Sequence, residues 1–318
     1  MKLFALNASA RLGQRIAEQL DHPLDPHEER EFCRGEHKVR PLADVWGEDV
    51  YVVSSLHGDR DLSVNDKICR VAFFVGALKD AGARQLTAVL PYFAYSRKDR
   101  RTKARDPVST RYLATMLQSV GVERVVTMDV HNPAAFDNSF RGSTINIETH
   151  ELLADYFFRT VGDSVDSIVA PDLGGIKATR LFVDSYREFS GSALPMAVMD
   201  KRRSEGLVTG SGLIGTVGNH VLIVDDMIGS GTTLCRAAEA CLEAGARRVS
   251  VGATHGLFEG GAPKLFAQAG IDSITVTDTV AIASLGLPAE HLDRINVVAT
   301  ARLFADQLAQ MSQAHQPR

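Results

Sequence analysis

Short, almost wholly apolar runs alternate along this chain with longer segments whose apolar residues recur every three or four positions. The runs are YVVSSL (51–56), LTAVLPYF (86–93), RVVTMDV (124–130), SIVAPD (167–172), HVLIVDD (220–226), VSVGATHG (249–256) and SITVTDT (273–279). Rich in Val and Ile and only a few residues long, they predict strands buried on both faces. Between them, NDKICRVAFFVGALKDAG, STRYLATMLQSVG, THELLADYFFRTVG and TTLCRAAEACLEAGA predict helices. Several close on Gly, which takes the left-handed cap without a Cβ penalty. Strands alternating with helices predict parallel sheets covered on both faces, an α/β fold.

Two passages echo each other. KDAGARQLTAVLPYFAYSRKD and LEAGARRVSVGATHGLFEG both run helix, AGAR, strand, loop, which hints at two related α/β halves. RGSTINIETH (141–150) interrupts the periodicity, so the boundary is placed there, with domains at 1–145 and 146–318. QLAQMSQAHQPR reads as a helix end followed by a frayed terminus.

A chain of 318 residues, 45% hydrophobic and 23% charged, is long enough for about two domains with full cores. Net charge is only -4, which gives no overall basic surface for nucleic acid. The cysteines Cys33, Cys69, Cys235 and Cys241 form no CxxC pair, as expected for reduced thiols rather than a zinc cage or disulfide framework. Neither a signal peptide nor a bilayer-spanning apolar stretch is present in the sequence, so no membrane partner and a cytoplasmic location are expected.

The densest chemistry lies in VLIVDDMIGSGTT (221–233). Asp225 and Asp226 follow a predicted parallel strand at its carboxyl end, where α/β sheets meet their ligands. Gly229 and Gly231 permit close backbone approach, and the loop amides with Ser230, Thr232 and Thr233 can donate hydrogen bonds to a phosphate. Carboxylates beside a phosphate would repel it, so they are read as acceptors for neutral hydroxyls of the same ligand, or as water-mediated holders of Mg2+. A sugar phosphate satisfies both halves. Neither a Gly-Lys-Ser/Thr nor a dinucleotide glycine spacing is present.

Three further segments carry charge at strand ends. PYFAYSRKDRRTKARDP (91–107) packs Arg97, Lys98, Arg100, Arg101, Lys103 and Arg105 behind aromatics. Guanidinium groups there can clamp a polyphosphate, with Tyr92, Phe93 or Tyr95 against a base, or the run is a solvated loop. Asp129 and His131 are spaced i, i+2, which on a strand points both the same way. Asp172 precedes Gly174 and Gly175 at a predicted helix start, and MDKRRSEG (199–206) opens a Gly-rich polar loop.

Together these motifs resemble the ribose-phosphate pyrophosphokinase (phosphoribosyl pyrophosphate synthetase) family, in order over nearly the whole chain. The 221–233 stretch resembles the phosphoribosyl-binding motif that this family shares with type I phosphoribosyltransferases. PYFAYSRKD resembles the synthetase segment in which an Arg-Gln pair contacts ATP. EFCRGEHKVR (31–40) resembles the family's nucleotide loop, giving Phe32, Arg34 and Glu36 with Arg97 and Lys98 as ATP contacts. The resemblance implies Mg2+ at His131 and Asp172, with Asp129 as a further candidate. It implies closure over the phosphates by Lys201 and Arg203, and ribose 5-phosphate on Asp225, Asp226 and Gly229 to Thr233. It also implies two tandem type I phosphoribosyltransferase-like domains, a homo-oligomer (hexamer or dimer), and synthesis of phosphoribosyl pyrophosphate and AMP from ATP and ribose 5-phosphate. Arg34 stands where the family has Asp, Lys98 where it has Gln, Gly229 where it has an acid, and Thr232 where it has Gly. A non-catalytic regulatory paralogue, or a phosphoribosyltransferase consuming phosphoribosyl pyrophosphate, therefore stays open at this level.

Overall fold

The computed structural model describes residues 1–200, 212–267 and 270–313, and its contacts gather into two compact units. The first takes Met1–Ile147 and Thr279–Ser284 together with the stretch beginning at Ala299; the second takes Glu148–Asp278 and Leu285–Val298. The chain thus crosses out of the first unit near residue 148 and returns to it twice.

In the first unit the chain runs β1 (Lys2–Ala5), α1 (Ala10–Gln19), β2 (His27–Glu31), β3 (His37–Pro41), β4 (Asp49–Val53), α2 (Val64–Asp80), β5 (Gln85–Leu90), α3 (Ser109–Ser119), β6 (Arg124–Met128), α4 (Pro133–Ser139) and β7 (Ser143–Ile147). The five-stranded sheet has the order β1-β4-β5-β6-β7 and is parallel throughout. Val50–Val53 and Leu86–Leu90 are all but fully buried, which is why they read as continuous apolar runs. The helix Ala301–Gln313 returns to cover this sheet. Its Phe304, Leu308 and Met311 join Leu3, Ile16, Val53 and Met128 in one core.

β7 lies within the segment that the sequence reads as an interruption. It is an edge strand, only Ile147 of it is buried, and its mixed Ser, Thr, Ile, Asn, Ile composition is what one-sided burial allows. β2 and β3 form a separate antiparallel hairpin pairing His27 with Pro41 and Glu31 with His37. Its sequence, HEERE, is too polar to signal a strand.

The second unit contains α5 (His150–Val161), β8 (Ser167–Ala170), α6 (Ile176–Ser190), β9 (Met196–Met199), β10 (Leu213–Ile214), β11 (His220–Ile228), α7 (Thr232–Glu243), β12 (Arg248–Gly256), α8 (Pro263–Ala267), β13 (Ile271–Thr277), α9 (Ala289–Leu292) and β14 (Ile295–Val298). Its sheet order is β10-β9-β8-β11-β12-β13-β14, parallel except for the β9–β10 pair. Leu153, Phe157, Ile168, Phe182, Tyr186 and Leu222 pack between helices and sheet. A Cβ on Gly252 would lie 2.6 Å from Phe157 Cε2, so this glycine of β12 is what lets α5 sit so close.

All four cysteines are free: Cys33 and Cys69 are exposed, Cys235 and Cys241 are buried. Burial pushes the Cys241 thiol up to about 12. Among the described residues no helix is long and apolar enough to cross a membrane.

Candidate functional site

Asp225 and Asp226 are not at the end of their strand, as the sequence suggests. β11 continues to Ile228, still in register with β12 through Ile228 and Gly256. The reason is asymmetric pairing: β8 accompanies β11 only as far as Ile223. Both acids therefore lie where one neighbour has stopped and the other has not, and both are half-buried. β8 itself leads to Asp172, whose Oδ1 accepts hydrogen bonds from the amides of Gly174 at 2.9 Å and Gly175 at 3.1 Å. Burial, and then the Asp226 carboxylate, push the Asp225 carboxyl well above the usual carboxylate range, and Asp172 acts in the same direction. The three acids thus share one electrostatic neighbourhood, in which a cation or hydroxyl donors would favour the ionised form.

Ile228 leads through Gly229 and Ser230 to Gly231, the N-cap of α7, at φ 76°. A Cβ at Gly231 would be 2.9 Å from Leu265 Cβ, so both backbone conformation and space require glycine here. Glycine has no side chain with which to cap the first amides of α7, and that first turn contains no acidic residue. Ser230 and Thr232 hydroxyls lie 3.1 Å apart beside it. α2 starts differently: Ser63 and Asp66 close its first turn in a reciprocal capping box. The α7 terminus, with its amides, hydroxyls and positive end of the helix dipole, has the chemistry of an anion site.

In the first unit the predicted contacts fall on three segments. Phe32, Arg34 and Glu36 form the tip of the β2–β3 hairpin and are all exposed. The Phe32 amide donates to the Glu36 carbonyl at 2.7 Å, and Arg34 has φ 65°. Arg30 holds its guanidinium carbon 5.0 Å from the centre of the Phe32 ring. The hairpin is fastened to α2 by Arg70, which pairs with Glu29 and Glu31. Burial opposes ionisation of Glu29, but hydrogen bonds from His27 and the Asn7 amide outweigh it and the net shift is downward.

Arg97 and Lys98 follow β5 in a loop knotted around Asp106. That carboxylate accepts from the Thr102 hydroxyl at 2.7 Å, the Lys103 amide at 3.0 Å and the Thr102 amide at 3.2 Å, and Lys98 Nζ is 3.4 Å away. The Thr102 hydroxyl, then the Lys103 amide, pull the Asp106 carboxyl down to about 2. Of the aromatics offered to a base, Tyr92 and Phe93 are buried. Phe93 packs edge-on against Phe136, 5.1 Å between ring centres. Tyr95 is exposed, at φ 60°, and its hydroxyl donates to Asn65 at 2.7 Å.

β6 stops at Met128, so Asp129 and His131 do not share a strand face as their spacing implies. Asp129 turns to φ 35° while its amide donates to the Ile147 carbonyl at 2.9 Å. His131 is exposed, just before the Asn132 cap of α4. Arg34, Tyr95 and Asp129 all hold the backbone in the left-handed region that disfavours side chains, a strain that concentrates at functional positions. Lys201 and Arg203 lie outside the described residues. Among those described, no three His, Cys, Asp or Glu converge into a metal cage. Asp172 supplies a hard oxygen donor of the kind a divalent cation takes when water and other oxygen ligands complete its shell. Sequence reasoning missed Arg70, Asp106 and the cap residue Asn132. Only Asn132 had a local signal, an Asn-Pro pair at a helix start.

Comparison with known proteins covers both units. Residues 1–121 match the N-terminal domain of ribose phosphate pyrophosphokinase, and residues 193–313 match the phosphoribosyl synthetase-associated domain. The ribose-phosphate pyrophosphokinase of Vibrio vulnificus (strain YJ016) is 38% identical over 287 residues, spanning 89% of this chain and 88% of that protein. That of Vibrio parahaemolyticus serotype O3:K6 (strain RIMD 2210633) is 36% identical over 316 residues, 98% of this chain and 96% of that protein. The crystal structure of phosphoribosylpyrophosphate synthetase from Mycobacterium smegmatis superposes with a TM-score of 0.84 at 28% identity, covering 98% and 99% of the two chains. With likeness at this level along both units and through the acid-bearing strand and its loop, the chain belongs to the ribose-phosphate pyrophosphokinase family.

Proposed function

We propose that this chain transfers the β,γ-diphosphoryl group of ATP to the 1-hydroxyl of ribose 5-phosphate, giving phosphoribosyl pyrophosphate and AMP. The observation that carries the reading is the passage from β11 into α7. Two acids on a strand lead directly to a helix start that only glycine can occupy and that glycine leaves uncapped. A sugar with hydroxyls at one end and a phosphate at the other matches that order of groups. In this reading Gly229, Ser230, Gly231, Thr232 and Thr233 bind the 5-phosphate, and Asp225 and Asp226 accept from the ribose hydroxyls.

Phe32, Arg34, Glu36, Arg97 and Lys98 bind ATP, so that residues 1–145 serve the nucleotide and 146–318 the sugar phosphate. His131 and Asp129 in the first unit, and Asp172 in the second, are each candidate ligands for Mg2+, which when bound would neutralise polyphosphate charge. The reaction joins the ribose 1-oxygen to the β-phosphorus, breaks the bond from that phosphorus to the oxygen bridging to the α-phosphate, and releases the hydroxyl proton. The protein's share is alignment and charge stabilisation, with Lys201 and Arg203 closing on the transferred group. The enzyme works as a homo-oligomer in the cytoplasm.

The test is to incubate the purified protein with ribose 5-phosphate, MgATP and phosphate and to measure AMP. AMP is expected only when the sugar is present; its absence with every nucleoside triphosphate would leave a non-catalytic paralogue. Lys201→Ala is expected to lower turnover by ~10²- to 10³-fold while ATP still binds, and equal turnover in the two proteins would remove Lys201 from the chemistry.

A further inference from the structure

One side chain joins the loop after β5 to the loop after β6. Asn132 Nδ2 donates to Asp99 Oδ2 at 2.5 Å, and Asn132 Oδ1 accepts from the Ala135 amide at 3.2 Å. The orientation of the amide is forced, because a backbone N-H only donates and a carboxylate only accepts. One half of Asn132 therefore starts α4 and the other half holds the opposite loop. Asp99 directly follows Arg97 and Lys98, and Asn132 directly follows His131. Both Asp99 and Asn132 are half-buried, whereas residues 100–105 between Asp99 and the Asp106 knot are exposed throughout. The Asp106 knot ties this cationic stretch to its own loop, whereas Asp99 ties it to the loop after β6.

The geometry points to Asn132 as a positioning residue, one that sets the Arg97–Lys98 pair against the His131 loop so that nucleotide phosphates meet both in one arrangement. The inference rests on the nucleotide reading of these loops. Asn132 touches no reacting atom; it acts through Asp99. An amide is the group the position calls for, since it must accept on one side and donate on the other. A carboxylate would cap α4 equally well but would face Asp99 with a second negative charge.

That asymmetry supplies the experiment. Asn132→Asp keeps the cap and removes the tie. It is expected to raise the KM for ATP by ~10-fold, to leave the KM for ribose 5-phosphate near its original value, and to speed tryptic cleavage between residues 97 and 105 to a similar degree. Combining Asp99→Asn with Asn132→Asp reverses the donor and acceptor, and the double variant is expected to recover most of both effects. The inference is overturned if Asn132→Asp leaves tryptic cleavage unchanged, if both substrate constants and the Tm worsen together, or if the reversed pair fails to recover. Should the unmodified protein make no AMP, the nucleotide reading falls instead, and the cleavage comparison still decides whether Asn132 holds the loop.

Discussion

The proposed ribose-phosphate loop and the proposed nucleotide segments are built in opposite ways. The first is one continuous passage, β11 through Gly231 into α7, in which each functional group is set by the conformation of its own chain. The second is gathered from a hairpin tip and the loops after β5 and β6, and is held by side chains from elsewhere: Arg70 from α2, Asp106 from the far end of its loop, Asn132 from the next strand's exit. A backbone-built site is vulnerable at glycine; a side-chain-built site is vulnerable at its ties. The contrast predicts which substrate each substitution should affect.

The largest effect is expected at Gly231. Gly231→Ala puts a Cβ 2.9 Å from Leu265 Cβ at φ 76°, and the left-handed penalty alone corresponds to ~10-fold in binding. The KM for ribose 5-phosphate should rise by at least that factor with the KM for ATP little changed, as initial rates against each substrate will reveal. An equal rise in both would erase the distinction between the two regions.

Arg70 comes next. Arg70→Met strips Glu29 of its guanidinium while the Glu29 side chain stays only 4% exposed, at a cost of about 2–3 kcal/mol in urea unfolding, and the ATP constant should suffer with it. The same carboxylate gives a pH signature. Its net shift is down from an ordinary value of 4.5, so its contribution to stability is in place above that pH and is lost as the pH falls below it. A Glu29→Gln variant should accordingly have a flatter Tm profile on the acid side; parallel profiles would rule out the linkage.

Asp106 is the finest probe. Because its carboxyl sits at about 2 against an ordinary 3.8, it stays ionised well below the usual aspartate range, and its hold on the loop is lost only as the pH falls through its own value. Amide exchange at Thr102 and Lys103 should therefore remain slow at pH 3 in the unmodified chain and become fast in Asp106→Ala. The knot is exposed, so the KM for ATP should rise only roughly threefold. A shift in the ribose 5-phosphate constant instead would break the comparison.

The sequence by itself determined the α/β class, the buried parallel strands and the α7 entry. Each of these is a local property: an apolar run, a 3.6-residue period, or a Gly-Ser-Gly-Thr-Thr turn whose conformation is dictated by the residues that form it. It also marked the basic run, Asp129, His131 and Asp172 as charged groups at predicted strand ends, and the hairpin tip by resemblance alone. What the tertiary structure decided is which of these groups are fastened together. β7 escaped notice because an edge strand needs no continuous apolar run. The return of Ala301–Gln313 to the first unit's core is a packing choice that its own amphipathic pattern leaves open. That β11 outlasts β8, leaving Asp225 paired with β12 beyond the end of the β8 ladder, depends on where a neighbouring strand ends. Likewise, a carboxylate reads as a solvated charge until its partners are known. Asp99 and Asn132 are 33 residues apart, and the hydrogen bond between them exists only because β5 and β6 lie side by side.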